Sequence, residues 1–189
     1  MSKIVITGGL GYIGTQLSKL YIEDNLNHEV HIVDSRFLPE RVKELKSWGF
    51  KSHQADILDK DFFQNMLIDA DVVYHLAGVT DVAYVKSEAN NEQDNKIKTV
   101  GIDGTKNIIE SVGKNTKLIF PSTHVVYEGF DETVFELKED VETCPVLTYS
   151  KGKVQSEEDY QIIWWWCSME IACIFIRCCT LYEICRGER

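Results

Sequence analysis

Short runs of apolar and β-branched residues alternate with helical patterns along most of this chain. Several runs, such as Ile4-Val5-Ile6 and Val72-Val73-Tyr74, are continuously apolar, which is typical of parallel strands covered by helices on both faces. The pattern predicts strands over residues 3–7, 29–34, 51–55, 71–76, 117–122 and 170–177. We therefore expect an α/β fold built on a doubly wound parallel sheet.

Apolar residues at helical spacing lie between the predicted strands. The first such stripe recurs at i, i+4, i+7 and i+8, and it consists of Ile13, Leu17, Leu20 and Tyr21. The same spacing predicts two further helices, around residues 62–67 and 108–112. Residues 86–99 are polar and predict an exposed loop or a solvated helix face.

A glycine-rich turn follows the first predicted strand and opens the first predicted helix. Its glycines, Gly8, Gly11 and Gly14, let the chain turn tightly and let backbone N–H groups approach a pyrophosphate at the helix N-terminus. The second strand ends in Asp34, 20 residues after Gly14, where a carboxylate can bind both hydroxyls of an adenosine ribose. The turn therefore predicts a dinucleotide site, with a tight turn that binds nothing as the alternative.

Three charged residues are candidate cofactor contacts, and two of them bear on the choice between NAD and NADP. Asp34 would repel the 2′-phosphate of NADP and accept bonds from the free hydroxyl of NAD, which favours NAD. Arg36 keeps NADP as an alternative, because a guanidinium binds phosphate, and it is otherwise a surface arginine. Asp56 follows the third predicted strand, where it could meet an adenine amino group, cap the helix that begins near Leu58, or do both.

Four blocks, in this order, resemble the extended short-chain dehydrogenase/reductase family of the NAD-dependent epimerase/dehydratase type: residues 7–14 (TGGLGYIG), 75–78 (HLAG), 122–127 (STHVVY) and 149–153 (YSKGK). The resemblance covers residues 1 to about 160. It implies a Rossmann-like domain and bound NAD. The cofactor contacts that it implies are Gly8, Gly11, Tyr12, Ile13, Gly14, Asp34, Arg36, Asp56, Ile57, Leu76, Ala77, Gly78, Tyr149 and Lys153.

The resemblance also gives the last two blocks a chemical role. Tyr149 would act as a base toward a substrate hydroxyl, which requires its pKa to fall from about 10 to near 7, a change of roughly 4 kcal/mol. An ammonium about 4 Å away supplies roughly that much at an effective dielectric constant of 20, and Lys153 lies on the same helix face. Thr123, or its neighbour Ser122, would hydrogen-bond the substrate oxygen, and the family's spacing favours Thr123. The alternatives are a helix pair and a capping pair without chemistry.

Other positions indicate how the chain departs from the family. His124 and Val125 stand where the family's dehydratases have an Asp-Glu pair, which argues against dehydration. His124 is expected in a substrate pocket or at the surface. Residues 101–105 read GIDGT, without an asparagine that the family uses near the cofactor. His75 is expected to be a packed strand-end histidine rather than a base.

The C-terminal segment differs in composition from the rest of the chain. All six cysteines follow residue 143, and three consecutive tryptophans occupy residues 164–166. Residues 177–183 resemble the approach to a later loop of the family, with Glu183 in place of glycine. We expect either a truncated or out-of-frame end, with the substrate lobe largely missing, or a divergent tail that packs as core.

Composition and charge exclude several classes of protein. A content of 44% hydrophobic and 26% charged residues is that of one soluble globular domain, here residues 1–189. A net charge of −10 provides no positive field for nucleic acid or an anionic membrane. We expect no membrane span and no secretory signal, and therefore a cytoplasmic protein. Without a Cys-x-x-Cys pair we expect no metal site.

Together with the resemblance, these observations predict an NAD-dependent, epimerase-type oxidoreductase. It would act on a sugar nucleotide by transient hydride transfer, with Thr123, Tyr149 and Lys153 as the catalytic group. The alternatives are an NAD(P)-dependent alcohol dehydrogenase or ketone reductase with the same group, and an NAD-binding protein without turnover. A homodimer is implied by the resemblance alone.

Overall fold

Five parallel strands form the central sheet: β1 (Lys3–Thr7), β2 (Glu29–Asp34), β3 (Lys51–Gln54), β4 (Val72–His75) and β5 (Lys117–Ile119). Their order across the sheet is β3-β2-β1-β4-β5. The computed structural model describes residues 1–23, 27–79, 91–130 and 141–159, apart from the side chains of residues 91 and 93, and only the backbone of residues 163–165 and 181–183. In those last two segments, β6 (Ile163–Trp165) pairs antiparallel with β7 (Leu181–Glu183).

In the described part of the chain, six α-helices connect and cover the strands: α1 (Tyr12–Glu23), α2 (Pro39–Ser47), α3 (Lys60–Leu67), α4 (Asn91–Lys98), α5 (Thr105–Ser111) and α6 (Thr148–Asp159). A π-helical segment (Thr99–Gly104) joins α4 to α5, and a 3₁₀ turn (His124–Tyr127) follows β5. Of the described helices, none is long and apolar enough to cross a membrane.

Alternate residues of the strands point to opposite faces of the sheet, and each face has its own apolar core. Val5 and Val33 pack with Phe63 of α3 and Ile108 of α5 on one face. On the other face, the strand residues Ile4, Ile6 and Ile32 pack with the α2 residues Val42 and Leu45. Because both faces are covered, the predicted doubly wound, Rossmann-like sheet is confirmed.

The first five predicted strands are confirmed, with small differences at their ends. The last of them ends at Ile119 rather than at residue 122, two residues before Pro121, which has no N–H to donate to a neighbouring strand. The predicted strand over 170–177 lies outside the described residues. Of the polar stretch 86–99, residues 91–98 form the largely exposed helix α4.

The predicted apolar stripe of α1 is wrong at two of its four positions. Ile13 is 51% exposed and Leu20 is 54% exposed. The helix instead buries Gly14 and Ser18 against the sheet, while Leu17 and Tyr21 pack at the edge of that contact. The buried face of α1 thus includes two small residues, and Ile13 lies outside it.

Candidate active site

The carboxyl ends of β1 and β4 meet where the order of the strands reverses. β2 lies on one side of β1 and β4 on the other, and ligands of open α/β sheets bind at such a point. A pocket of about 230 Å³ opens there. Its lining includes Ile13 from α1, Leu76, Ala77 and Gly78 after β4, Thr105 from α5, Ser122 after β5, and Tyr149 and Lys153 from α6. The structure thus brings residues from all four sequence blocks to one pocket, and the first block contributes Ile13.

The glycine turn is packed against its surroundings as tightly as the backbone allows. Gly8 has a positive φ of 67°, and a Cβ atom there would lie 2.7 Å from the backbone nitrogen of Ala77. A Cβ atom at Gly14 would lie 2.6 Å from the Cα of Gly9. Larger residues would push the turn away from β4 and from the first turn of α1. The turn therefore places the N-terminus of α1, with its partial positive charge, at the edge of the pocket.

Asp34, at the end of β2, binds the backbone of the glycine turn. Its carboxylate accepts hydrogen bonds from the backbone N–H of Leu10, at 3.1 Å, and from Arg36 through the backbone and the guanidinium. The side chain of Asp34 is 4% exposed, whereas that of Arg36 is 58% exposed. The predicted ribose carboxylate thus faces the glycine turn, and Arg36 covers it.

Asp56 and Ile57 lie beyond the end of β3. The exposed carboxylate of Asp56 accepts a hydrogen bond from the N–H of Leu58, at 3.0 Å. The cap of α3 is Asp59, whose side chain accepts from the N–H of Phe62, so the prediction that Asp56 caps this helix is wrong. Ile57 is buried in the core, and its role as a cofactor contact, like the adenine contact of Asp56, stays a prediction.

His75 is fully buried next to the pocket-lining Thr105 and belongs to a continuous chain of hydrogen bonds. Thr7 Oγ1 accepts from the N–H of Ala77 and lies 2.9 Å from Nδ1 of His75. Thr105 Oγ1 donates to the carbonyl of Gly101, so it accepts from Nε2 of His75, at 3.1 Å. Nε2 therefore carries a proton, and because burial keeps the imidazole neutral, Nδ1 accepts from the hydroxyl of Thr7. The expectation of a packed histidine rather than a base agrees with this geometry.

Burial, and to a smaller extent the nearby positive charge of Lys153, lower the pKa of His75 to about 3. The imidazole stacks on the ring of Phe120, with 5.6 Å between the ring centroids. On the same ring of Phe120, the Nζ of Lys153 lies 3.8 Å from the centroid. The pocket-lining ammonium group of Lys153 is therefore followed by an aromatic ring and then by a neutral histidine.

Tyr149 and Lys153 both line the pocket from one face of α6. The Nζ of Lys153 donates to the carbonyl of Pro121, at 2.8 Å, and lies 5.9 Å from the centroid of the Tyr149 ring. The ammonium is thus held between the end of β5 and the tyrosine. At this separation the lysine's positive charge acts on the phenol electrostatically.

Ser122 and Thr123 differ in their surroundings. Ser122 is buried, lines the pocket and donates from its hydroxyl to the carboxyl group of Glu157. Thr123 caps the 3₁₀ turn, because its Oγ1 accepts from the N–H of Val125, at 3.3 Å. His124, which follows, is exposed. The role predicted for Thr123 stays a prediction.

Sequence reasoning missed two carboxylates that hold α6. Glu157 lies four residues after Lys153 and eight after Tyr149, so its helical spacing could have indicated that it shares their face. Glu128 accepts at one oxygen from the N–H groups of Val146 and Leu147, at 2.8 and 2.6 Å. Partial burial raises the pKa of Glu128, but bonds from Leu147, Ser150 and Val146 outweigh it and lower that pKa. No local sequence signal marks this contact.

The sequence profile of the 3-beta hydroxysteroid dehydrogenase/isomerase family matches residues 5–161. The chain belongs to this family. The match spans all four motif blocks and all but the first two residues of the described part of the central sheet. The predicted resemblance to NAD-dependent epimerases and dehydratases is confirmed as well, because enzymes of those names are among the relatives.

Two curated relatives illustrate the range of the similarity. The decarboxylating sterol-4-alpha-carboxylate 3-dehydrogenase of Saccharomyces cerevisiae is 26% identical over 169 residues, which are 84% of this chain and 46% of that protein. The UDP-glucose 4-epimerase of Mycoplasma genitalium is 30% identical over 131 residues, which are 67% of this chain and 37% of that protein. The chain therefore spans less than half the length of these relatives.

Solved structures show the same fold. The UDP-Glc/GlcNAc 4-epimerase of Campylobacter jejuni superposes with a TM-score of 0.72 at 24% identity, over 85% of this chain and 48% of that chain. A variant of the UDP-glucuronic acid 4-epimerase of Bacillus cereus, in complex with NAD and a fluorinated UDP-sugar, gives a TM-score of 0.69 at 26% identity, over 82% of this chain and 50% of that chain.

Proposed function

We propose that this chain is the NAD-binding part of an epimerase-type oxidoreductase that acts on a sugar nucleotide. One observation carries the proposal: the pocket at the reversal of strand order is lined both by residues beside the glycine turn and by Tyr149 and Lys153. A dinucleotide held by the turn would thus reach the two residues whose chemistry handles a hydroxyl proton. Epimerases of the same fold with bound NAD support the choice of cofactor.

The residues present fit NAD. The N-terminus of α1 suits a pyrophosphate, and the carboxylate of Asp34 suits a ribose diol. A Cβ atom at Gly78 would meet no atom within 4 Å, so the loop after β4 leaves open space for a ligand. When bound, NAD would supply an acceptor for the hydrogen on the alcohol carbon.

The chain's own residues would handle the oxygen of the substrate. Tyr149 removes the hydroxyl proton, and the positive charge of Lys153 favours the deprotonated phenol. Thr123, or the pocket-lining Ser122 once its hydroxyl turns away from Glu157, donates a hydrogen bond to the same oxygen. The carbon–hydrogen bond breaks with its electron pair as the carbonyl forms, and Tyr149 returns its proton when the carbonyl is reduced again. Reduction from the opposite face gives the epimer.

A simple alcohol dehydrogenase is the second candidate. The family takes its name from a hydroxysteroid dehydrogenase/isomerase. The sterol-4-alpha-carboxylate 3-dehydrogenase of yeast, whose name denotes oxidation of a sterol, matches 84% of this chain. The same residues would then oxidise the alcohol without returning it to the reduced state. Oxidation accumulates NADH whereas epimerisation does not, so NADH absorbance after addition of a sugar nucleotide or a sterol distinguishes the two.

The substitution Tyr149→Phe tests the proposal. We expect NAD binding to be unchanged and turnover to fall by about 10²- to 10⁴-fold, because the variant lacks the group that takes the proton. Calorimetric titration with NAD and a kinetic assay with UDP-sugars measure the two quantities. Tyr21→Phe is the matched control, since it removes a phenolic hydroxyl that bonds to Tyr74 and does not line the pocket.

Equal turnover by the wild-type chain and the Tyr149→Phe variant would contradict the proposed role of the tyrosine. A wild-type chain that binds NAD but turns over neither class of alcohol would favour the third possibility, an NAD-binding protein without catalysis.

A further inference from the structure

Asp34 already carries a complete set of hydrogen bonds from its own neighbours. Oδ1 accepts from the backbone N–H and from Nε of Arg36, each at 3.0 Å. Oδ2 accepts from the backbone N–H of Leu10, at 3.1 Å, and from Nη2 of Arg36, at 3.2 Å. A carboxylate has about four acceptor positions, so every one of them is in use.

The four donors are of two kinds. The backbone N–H groups of Leu10 and Arg36 belong to the turn and the strand end, and they are fixed by the fold. The guanidinium contributes one donor to each carboxylate oxygen, and its side chain is 58% exposed. Rotation of Arg36 into solvent would therefore vacate one acceptor position on each oxygen. Two positions are what the two hydroxyls of a ribose require.

We propose that Arg36 is a latch on Asp34 that determines which cofactor binds. The guanidinium leaves the carboxylate when the free ribose diol of NAD binds, and it stays in place when a ribose carries a 2′-phosphate. The inference rests on the proposed function, because it takes the dinucleotide to lie over the glycine turn.

The closed latch suits a phosphate for two reasons. Arg36 neutralises Asp34, which removes the repulsion between the carboxylate and a 2′-phosphate. A guanidinium has five N–H donors. Two of them bind Asp34, so the other N–H donors remain for the phosphate. The same arginine would therefore oppose the binding of NAD and support the binding of NADP.

The cost to NAD binding depends on how often the latch is open. A latch that is closed nine-tenths of the time weakens the apparent affinity about tenfold. In the variant Arg36→Met, which replaces the aliphatic part of the side chain and removes its donors, we expect NAD to bind about tenfold more tightly. NADP should bind about tenfold more weakly, because charge-assisted hydrogen bonds to its phosphate are lost. Calorimetric titrations with NAD and NADP measure both changes.

Two further variants complete the experiment. Lys43→Met is the matched control, because it removes one positive charge from the exposed face of the neighbouring helix α2, and we expect wild-type affinities. Arg36→Lys keeps the charge but offers a single ammonium, which cannot occupy both oxygens in the same way. We expect its affinity for NAD to lie between those of the wild type and Arg36→Met.

The outcomes separate the latch from the proposed function. If the wild-type chain binds NAD and both Arg36 variants bind it equally well or more weakly, the latch is overturned and NAD binding stands. If neither the wild-type chain nor any variant binds NAD, the proposed function fails, and the latch fails with it.

Discussion

A neutral imidazole satisfies every hydrogen bond around His75. Thr7 donates to its Nδ1 and Thr105 accepts from its Nε2. Protonation would put a second hydrogen on Nδ1, where the hydroxyl of Thr7 would have to reverse and lose its own acceptor. The residue therefore joins β1, β4 and α5 beneath the pocket as a structural group, which explains why a histidine at a strand end need not be a base.

This burial makes stability depend on pH. The pKa of His75 is lowered to about 3 in the folded chain, against an ordinary value of 6.5. Between these values the unfolded chain takes up a proton that the folded chain does not, so stability is full above about pH 6.5 and is lost as the pH falls towards 3. The expected slope from this group is up to about 1.4 kcal/mol per pH unit. Urea unfolding at several pH values measures it.

The substitution His75→Gln should flatten that slope, although it lowers stability at neutral pH by disturbing the hydrogen bonds. His124→Gln, which removes an exposed histidine, is the control. A His75→Gln variant as sensitive to acid as the wild type would show that other groups cause the acid sensitivity.

At the scale of elements, the carboxylates of Glu128 and Glu157 hold α6 near its two ends. Glu128 accepts from the N–H groups of Val146 and Leu147, which lie just before the helix begins, and from the hydroxyl of Ser150 in its first turn. Farther along, Ser122 donates to Glu157. These contacts set the position of the helix that carries Tyr149 and Lys153 relative to the end of β5.

Replacing Glu128 by alanine should cost about 1 kcal/mol of stability, as the loss of a helix cap does. Because hydrogen bonds lower the pKa of Glu128 below 4.5 in the folded chain, the contribution is full above that pH and disappears as the pH falls below it. Urea unfolding at pH 7 and pH 3 checks both statements. Glu142→Ala removes a nearby exposed carboxylate as the control. An equal cost at both pH values would contradict a role for the charge.

The elements also show what the sequence can predict and why it fails elsewhere. β1 and β4 contain the apolar runs 4–6 and 72–74, which predict both strands, and the burial of residues 4–6 follows from that pattern alone. α2 was missed because Val42 and Leu45 are its only buried residues among charged ones. The face of α1 was misassigned because Gly14 and Ser18, which carry no hydrophobic signal, form the contact.

The site was predicted where a motif is local and missed where a contact joins distant parts of the chain. The glycine turn and the pair Tyr149 and Lys153 are recognisable from spacing within a few residues. The bonds from Ser122 to Glu157 and from Leu10 to Asp34 connect residues 35 and 24 positions apart. Such contacts depend on the packing of whole elements, which no short pattern contains.

At the scale of the whole molecule, the candidate site draws on both halves of the sheet. Asp34 belongs to the half formed by β1, β2 and β3, whereas Tyr149 and Lys153 lie beside the ends of β4 and β5. A mononucleotide such as AMP is long enough to occupy only the first half. NAD carries a second ribose and a nicotinamide, so it would reach the pocket in the second half as well.

This difference predicts two patterns of hydrogen exchange. AMP should slow exchange of the backbone N–H groups in residues 8–14 and 34–36, because ligand binding suppresses local opening of the segments it contacts. NAD should slow exchange there and also in residues 76–78 and at the start of α6. Each ligand is used at about 100 times its Kd, so that the stabilisation by mass action is about 2.7 kcal/mol in both cases and only its distribution differs. If NAD protected no more than AMP does, the nicotinamide would not occupy the pocket of Tyr149, and the proposed chemistry would have no acceptor beside it.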